Sequence, residues 1–244
     1  MTPPSLPEIF ATIEATWPAR RVIDLPGWQV RDGAGGGNRV AAATATAAAP
    51  DPAPMEAAQA NLGQEPLVMI RPGDEPLDRR LAGAGYDLRD PVTVYLARVA
   101  DLALDPPRVS AFQVAWPPMQ VQRELWAAGG IGPARIAVMD RVEEAKCAIL
   151  GRTGDQPAGT AFVAGSGRMA VLHALEVSPR IRRRGTARNI MRGAAHWARD
   201  AGARWMAVLV TDANAPANAL YASLGMSPAG HYHYRVKRVA EKTG

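Results

Sequence analysis

Residues 171–177, Val-Leu-His-Ala-Leu-Glu-Val, alternate as a strand does and run into Ser178-Pro179. Proline cannot donate to a β-ladder, so the strand stops there. The chain then turns through Arg-Ile-Arg-Arg-Arg-Gly, residues 180–185, into a segment whose apolar residues recur at helical spacing. Ala187, Ile190, Met191, Ala194, Ala195 and Ala198 fall on one face. A strand joined to a helix by so short a loop demands an α/β arrangement. The first turn of that helix also carries backbone N–H groups with no intrahelical partner. With a glycine in the loop and arginines around it, the junction is suited to receiving phosphate.

Charge supports that reading. The chain has 244 residues and a net charge of +5. Residues 1–105 carry 9 Arg and no Lys against 14 acids, net −5, and residues 106–244 carry 19 bases against 9 acids, net +10. Arg180, Arg182, Arg183, Arg184, Arg188 and Arg192 crowd the junction. A patch of this kind can bind nucleic acid, but few aromatics are interleaved with it, so coenzyme phosphates are the preferred partner. Nucleic acid is not expected, nor is a membrane, because no apolar run approaches the roughly 20 residues of a span. The N-terminus, Met-Thr-Pro-Pro-Ser-Leu-Pro-Glu, lacks the blocks of a signal peptide. Cys147 is the single cysteine, which excludes an internal disulfide and a cysteine-based metal cage and fits a reducing cytoplasm.

The second half of the chain divides readily. A helix is predicted over 121–128, stopped by Gly129-Gly130, then strands over 146–152, 158–164 and 169–177 in an antiparallel meander. The helix from 186 to 201 stops at Gly202, and the continuous apolar run 204–211 reads as a strand covered on both faces. A short helix follows, with Pro216 in its first turn and Gly225 past its end, and then a strand over 231–237. The first half is less regular. Helices are expected near 7–16, 55–62 and 75–84, and strands near 28–32, 39–46, 66–71 and 92–99. Residues 101–108, with Pro106-Pro107, form the candidate linker.

The loop Arg182-x-x-Gly185-x-Ala187 resembles the pyrophosphate-binding signature of the Gcn5-related N-acetyltransferases (GNAT). Some 27 residues on, Asn214-x-x-Ala217-x-x-Leu220-Tyr221 followed by Leu224-Gly225-Met226 resembles that family's second motif. The resemblance covers roughly residues 110–238. It implies an α/β GNAT fold, a mixed, mostly antiparallel sheet flanked by helices, with residues 106–244 as the catalytic domain. Residues 26–31 and 35–40 resemble the N-terminal halves of tandem acetyltransferases. No Arg-x-x-Gly-x-Ala loop precedes residue 105, so residues 1–105 are expected to be a degenerate GNAT-like half without a coenzyme site.

The family's cosubstrate is acetyl-coenzyme A. By resemblance its pyrophosphate lies on the backbone of Arg182, Arg183, Arg184, Gly185, Thr186, Ala187 and Arg188. Its pantetheine pairs with Leu175 and Val177 where the strand splays from its parallel neighbour. Tyr221 shares the helix face of Ala217 and Leu224. It is either a core tyrosine or, as in the family, the acid that protonates the departing thiolate. Asn214 either caps the helix or bonds the pantetheine. For the general base the candidates are Glu176, acting through water, and His173, with His231 and His233 more distant in sequence. Cys147 has no histidine nearby in sequence, which favours direct attack in a ternary complex over an acyl-cysteine. Four histidines show no metal spacing, and no metal is expected. The expected activity is acetyl transfer to a small-molecule or peptide amine. A non-catalytic acyl-coenzyme sensor or interaction module with the same fold is the alternative. Acceptor identity and oligomeric state are not legible.

Overall fold

A computed structural model describes residues 2–104 and 110–237. In chain order its elements are α1 (Leu6–Thr16), β1 (Arg21–Leu25), β2 (Trp28–Asp32), α2 (Asn38–Ala41), β3 (Thr44–Ala45), α3 (Ala53–Asn61), β4 (Leu67–Ile70), α4 (Glu75–Gly83), β5 (Tyr86–Arg98) and α5 (Val99–Leu102). They continue with β6 (Ala111–Ala115), α6 (Gln120–Ala128), α7 (Pro133–Asp140), β7 (Lys146–Thr153), β8 (Gln156–Ser166), β9 (Met169–Val177), α8 (Thr186–Asp200), β10 (Trp205–Thr211), α9 (Ala215–Ser223) and β11 (Ser227–Lys237). A single 3₁₀ turn, Pro179–Ile181, separates β9 from α8.

The described residues form two units. Residues 2–18, 94–104, 110–210 and 214–229 belong to the first, and 19–93, 211–213 and 230–237 to the second. The chain leaves the first unit after Pro18 and returns at Val94.

In the first unit β6, β7, β8 and β9 are antiparallel neighbours, and β10 joins β9 in parallel. Strand alternation divides their side chains between two faces. On one face Ile149, Ala161, Val163, Ala170, Leu172, Met206 and Val208 are buried with Ile190, Met191, Ala194, Ala195 and Ala198 of α8. The small residues of α8 let it lie close to the sheet. On the other face α1 and α6 cover β8 and β9. There Thr12 contacts the Met169 sulfur at 3.6 Å, Gln122 Nε2 donates to Thr160 Oγ1 at 3.1 Å, and Trp17 packs on Phe162. This is a mixed sheet flanked by helices.

In the second unit β1, β2 and β3 form a small antiparallel sheet, and β4 pairs antiparallel with β11. Trp28, Val30, Met55, Val68, Leu77 and Leu81 make its core. The strand expected over 39–46 is instead one helical turn, α2, followed by the two-residue β3. Gly37, at φ 98°, turns the chain into that helix. Residues 101 and 102 of the expected linker end α5, and its residues 105–108, including Pro106-Pro107, lie outside the described residues.

Candidate active site

The candidate site residues gather at the C-terminal end of β9. The parallel register pairs Met169, Ala170, Val171 and Leu172 with Trp205, Met206, Ala207 and Val208, whereas β9 continues to Val177 and β10 to Thr211. The two strands thus outrun their shared ladder. On the β8 side the register shifts. Thr160 faces Glu176, but Phe162 faces His173, so β9 carries one extra residue. This is a β-bulge, and Ala174 holds it at φ 51°, where an L-residue is strained.

Beyond the bulge the direction of each backbone group follows from the ladder. The N–H of Ser178 donates to the Ala158 carbonyl, so Ser178 and Glu176 turn their main-chain groups to β8. Leu175 and Val177, the expected pantetheine partners, turn theirs away from β8. Val177 already accepts a hydrogen bond from Arg182 Nε at 3.2 Å.

The loop follows at once. Arg183 sits at φ 68° and Gly185 at φ 80°, both left-handed. The N-cap of α8 is Gly185, which has no side chain to cap the helix, so the N–H groups of its first turn are offered to the loop's exterior. Thr186 is buried, and its hydroxyl lies 2.7 Å from that of Thr153 on β7. Gly151 of β7 lets this first turn come close. A Cβ there would sit 2.7 Å from Ile190 Cδ1 and 2.9 Å from Thr186 Cγ2. Arg182, Arg183 and Arg184 are exposed, Ala187 is half-buried, and Arg188 donates to Ser223 Oγ of α9 at 2.8 Å.

Tyr221 lies on α9 with its ring 5.8 Å from that of Tyr95 and its side chain in the main core. Burial pushes its phenol up to about 12. Asn214 caps α9, its Oδ1 accepting from the Ala217 N–H at 3.2 Å.

Glu176 has 18% of its side chain exposed and meets Arg182 Nη2 at 3.4 Å. Its other neighbour is the end of α6, where a Cβ on Gly129 would fall 2.4 Å from Glu176 Cγ. His173 is a different case. It is buried, its Nε2 is 2.9 Å from Thr16 Oγ1, and its ring lies 4.9 Å from that of Trp17. Those contacts tie it to α1 and to packing. His231 is exposed, and His233 bonds Asp78 at 2.8 Å, both in the second unit. Cys147 is buried and its thiol pushed up to about 11 by desolvation, unfavourable for a nucleophile.

Sequence reasoning missed Trp126. It is fully buried on α6, and its indole N–H donates to the Ala174 carbonyl at 2.8 Å. No motif marks it, because α6 is distant in sequence from β9. Among the described residues no group of three His, Cys, Asp or Glu side chains could hold a metal, and no helix is long and apolar enough to cross a membrane.

Residues 108–226 match the acetyltransferase (GNAT) family. Among solved structures, a functionally unknown conserved protein from Staphylococcus epidermidis superposes with a TM-score of 0.69 at 11% identity, over 91% of this chain and 94% of that one. A GCN5-related N-acetyltransferase from Kribbella flavida gives 0.68 at 16% identity, over 94% of both chains. A tandem GNAT protein from the clavulanic acid biosynthesis pathway gives 0.57 at 15% identity, over 75% of this chain and 67% of that one. At such identities the likeness is one of fold, and the fold is that of the GNAT proteins. The curated proteins contain no match to the sequence.

Proposed function

We propose that this chain, whose residues 108–226 match the acetyltransferase (GNAT) family, moves an acetyl group from acetyl-coenzyme A to an amine by direct attack in a ternary complex. The observation that carries the reading is the end of β9. The strand outruns its parallel ladder, bulges at Ala174 and delivers the chain into an uncapped helix N-terminus within nine residues of Val177.

In this reading the first-turn N–H groups of α8 and the backbone from Arg182 to Arg188 hold the pyrophosphate, aided by the helix dipole. The C=O of Leu175 and the N–H of Val177 extend the sheet onto the pantetheine arm. The incoming amine must be neutral to attack, and Glu176 takes its proton through water. The nitrogen lone pair adds to the thioester carbonyl, and the carbon–sulfur bond then breaks to release the coenzyme thiolate. Tyr221 donates to that sulfur. A phenol near 12 keeps its proton against a thiolate whose acid is near about 8.5, so what it gives as charge builds on sulfur is a hydrogen bond rather than a full proton transfer. Asn214 holds the start of α9 and so the place of Tyr221. Buried Cys147 gives no support to an acyl-cysteine route.

The N-terminal residues 1–105 are proposed to be a degenerate GNAT-like half. The tandem neighbour and the lack of a second Arg-x-x-Gly-x-Ala loop support this. A cytoplasmic setting is proposed from the single reduced cysteine.

The test is thiol release from acetyl-coenzyme A across a panel of amino acids, polyamines and peptide N-termini, with mass spectrometry of the amine. At least one amine should gain a single acetyl group, and initial rates should give intersecting rather than parallel lines. Tight coenzyme binding with no amine-dependent release across the panel would favour the sensor module instead.

A further inference from the structure

The bulge in β9 is held from outside the strand. Ala174 occupies φ 51° without being glycine, so something must offset the strain. The partner is the Trp126 indole, fully buried, donating to the Ala174 carbonyl at 2.8 Å. The Ala174 carbonyl and the Leu175 N–H belong to one trans peptide plane and point in opposite directions. Fixing the carbonyl on α6 therefore fixes the Leu175 N–H away from it. The same helix end seats the next residue but one. Gly129 caps α6, and its missing Cβ leaves the space that Glu176 fills.

We infer that Trp126 is a positioning residue. By holding the Ala174 carbonyl it aims the Leu175 N–H at the acyl carbonyl of the bound thioester, where negative charge develops when the amine adds. This rests on the reading that coenzyme lies along Leu175 and Val177. A preset donor aimed at developing charge lowers the barrier, while one free to rotate must first be ordered. Trp126 itself touches neither coenzyme nor amine.

The experiment uses the full chain with acetyl-coenzyme A labelled with ¹³C at the acetyl carbonyl. Infrared spectroscopy reads the thioester carbonyl stretch, which a hydrogen bond lowers. Calorimetry reads affinity, and thiol release without added amine reads turnover. In the native protein the stretch should lie below its value in water. In Trp126→Phe it should return toward the free value with affinity within a few-fold. Thiol release should fall about tenfold or more, less than the 10²–10³ of deleting an oxyanion donor outright. If Trp126→Phe fails to fold, benzothienylalanine introduced at position 126 keeps the shape and lacks the N–H. A lowered stretch and full thiol release in a folded variant would overturn the role of Trp126 while leaving the coenzyme reading intact. A native stretch equal to that in water would overturn both, because the carbonyl would not lie at Leu175.

Discussion

Gly185 sits at φ 80°, with nothing within 4 Å of the place its Cβ would occupy. The constraint there is torsional rather than spatial. Asparagine tolerates the left-handed region, so Gly185→Asn should fold and keep its coenzyme affinity within a few-fold. Gly185→Glu sets a carboxylate over the same helix N-terminus and should weaken binding at least tenfold, about 1.4 kcal/mol, by calorimetric titration. Equal affinity in both variants would take the loop out of the site. Tyr221→Phe deletes only a hydroxyl. Turnover should fall roughly 10²–10³-fold, as when a donor to developing charge is lost, with coenzyme affinity nearly unchanged. The same variant tests burial. A phenol at about 12 in the folded chain and about 10 in the unfolded one contributes stability that is full below pH 10. That contribution is lost as pH rises toward 12, because the unfolded chain loses its proton first. The native protein should therefore lose about 2 kcal/mol more than Tyr221→Phe between pH 9 and 12 in chemical denaturation. Identical slopes would place the phenol in water.

At the scale of elements, α9 shows how a residue can be a cap first. Asn214 Oδ1 takes the Ala217 N–H, satisfying a donor that the helix cannot. Asn214→Ala should cost about 1 kcal/mol in denaturant unfolding. If the cap is its whole role, coenzyme affinity should not change in the folded variant. A loss of affinity beyond tenfold would add a direct bond to coenzyme. The elements nearest the site were legible because their signals are local. Proline after β9, Gly185 before α8, Gly202 after it and the period of α8 all lie within a few residues of what they control. The bulge was not legible, because His173-Ala174-Leu175 keeps an unbroken strand alternation and alanine, not glycine, carries the positive φ. Trp126 was missed for the same reason, since its partner lies 48 residues away. Helix α7 and strands β1 and β6 also went unread. Each is eight residues or shorter, and β6 has no fully buried residue to set a pattern.

At the scale of the molecule, one phosphate loop predicts one coenzyme. The intact chain should bind a single equivalent of acetyl-coenzyme A in calorimetry, and two equivalents would show that residues 1–105 retain a site of their own. The allegiance of α1 could not be read from sequence, because an amphipathic helix shows that it has a buried face without showing what buries it. Its partners, Met169 and His173, each lie 157 residues beyond the threonines they meet. On a ribosome adding about 5–20 residues per second, roughly 8–30 s pass between the making of α1 and the emergence of β9. For that time Ile9, Phe10, Ile13 and Trp17, all buried in the folded chain, lack the part of their cover that β9 supplies. Helix α1 thus waits for its place after it is made, and the nascent chain must carry an apolar face across the 157 residues that separate those threonines from their partners.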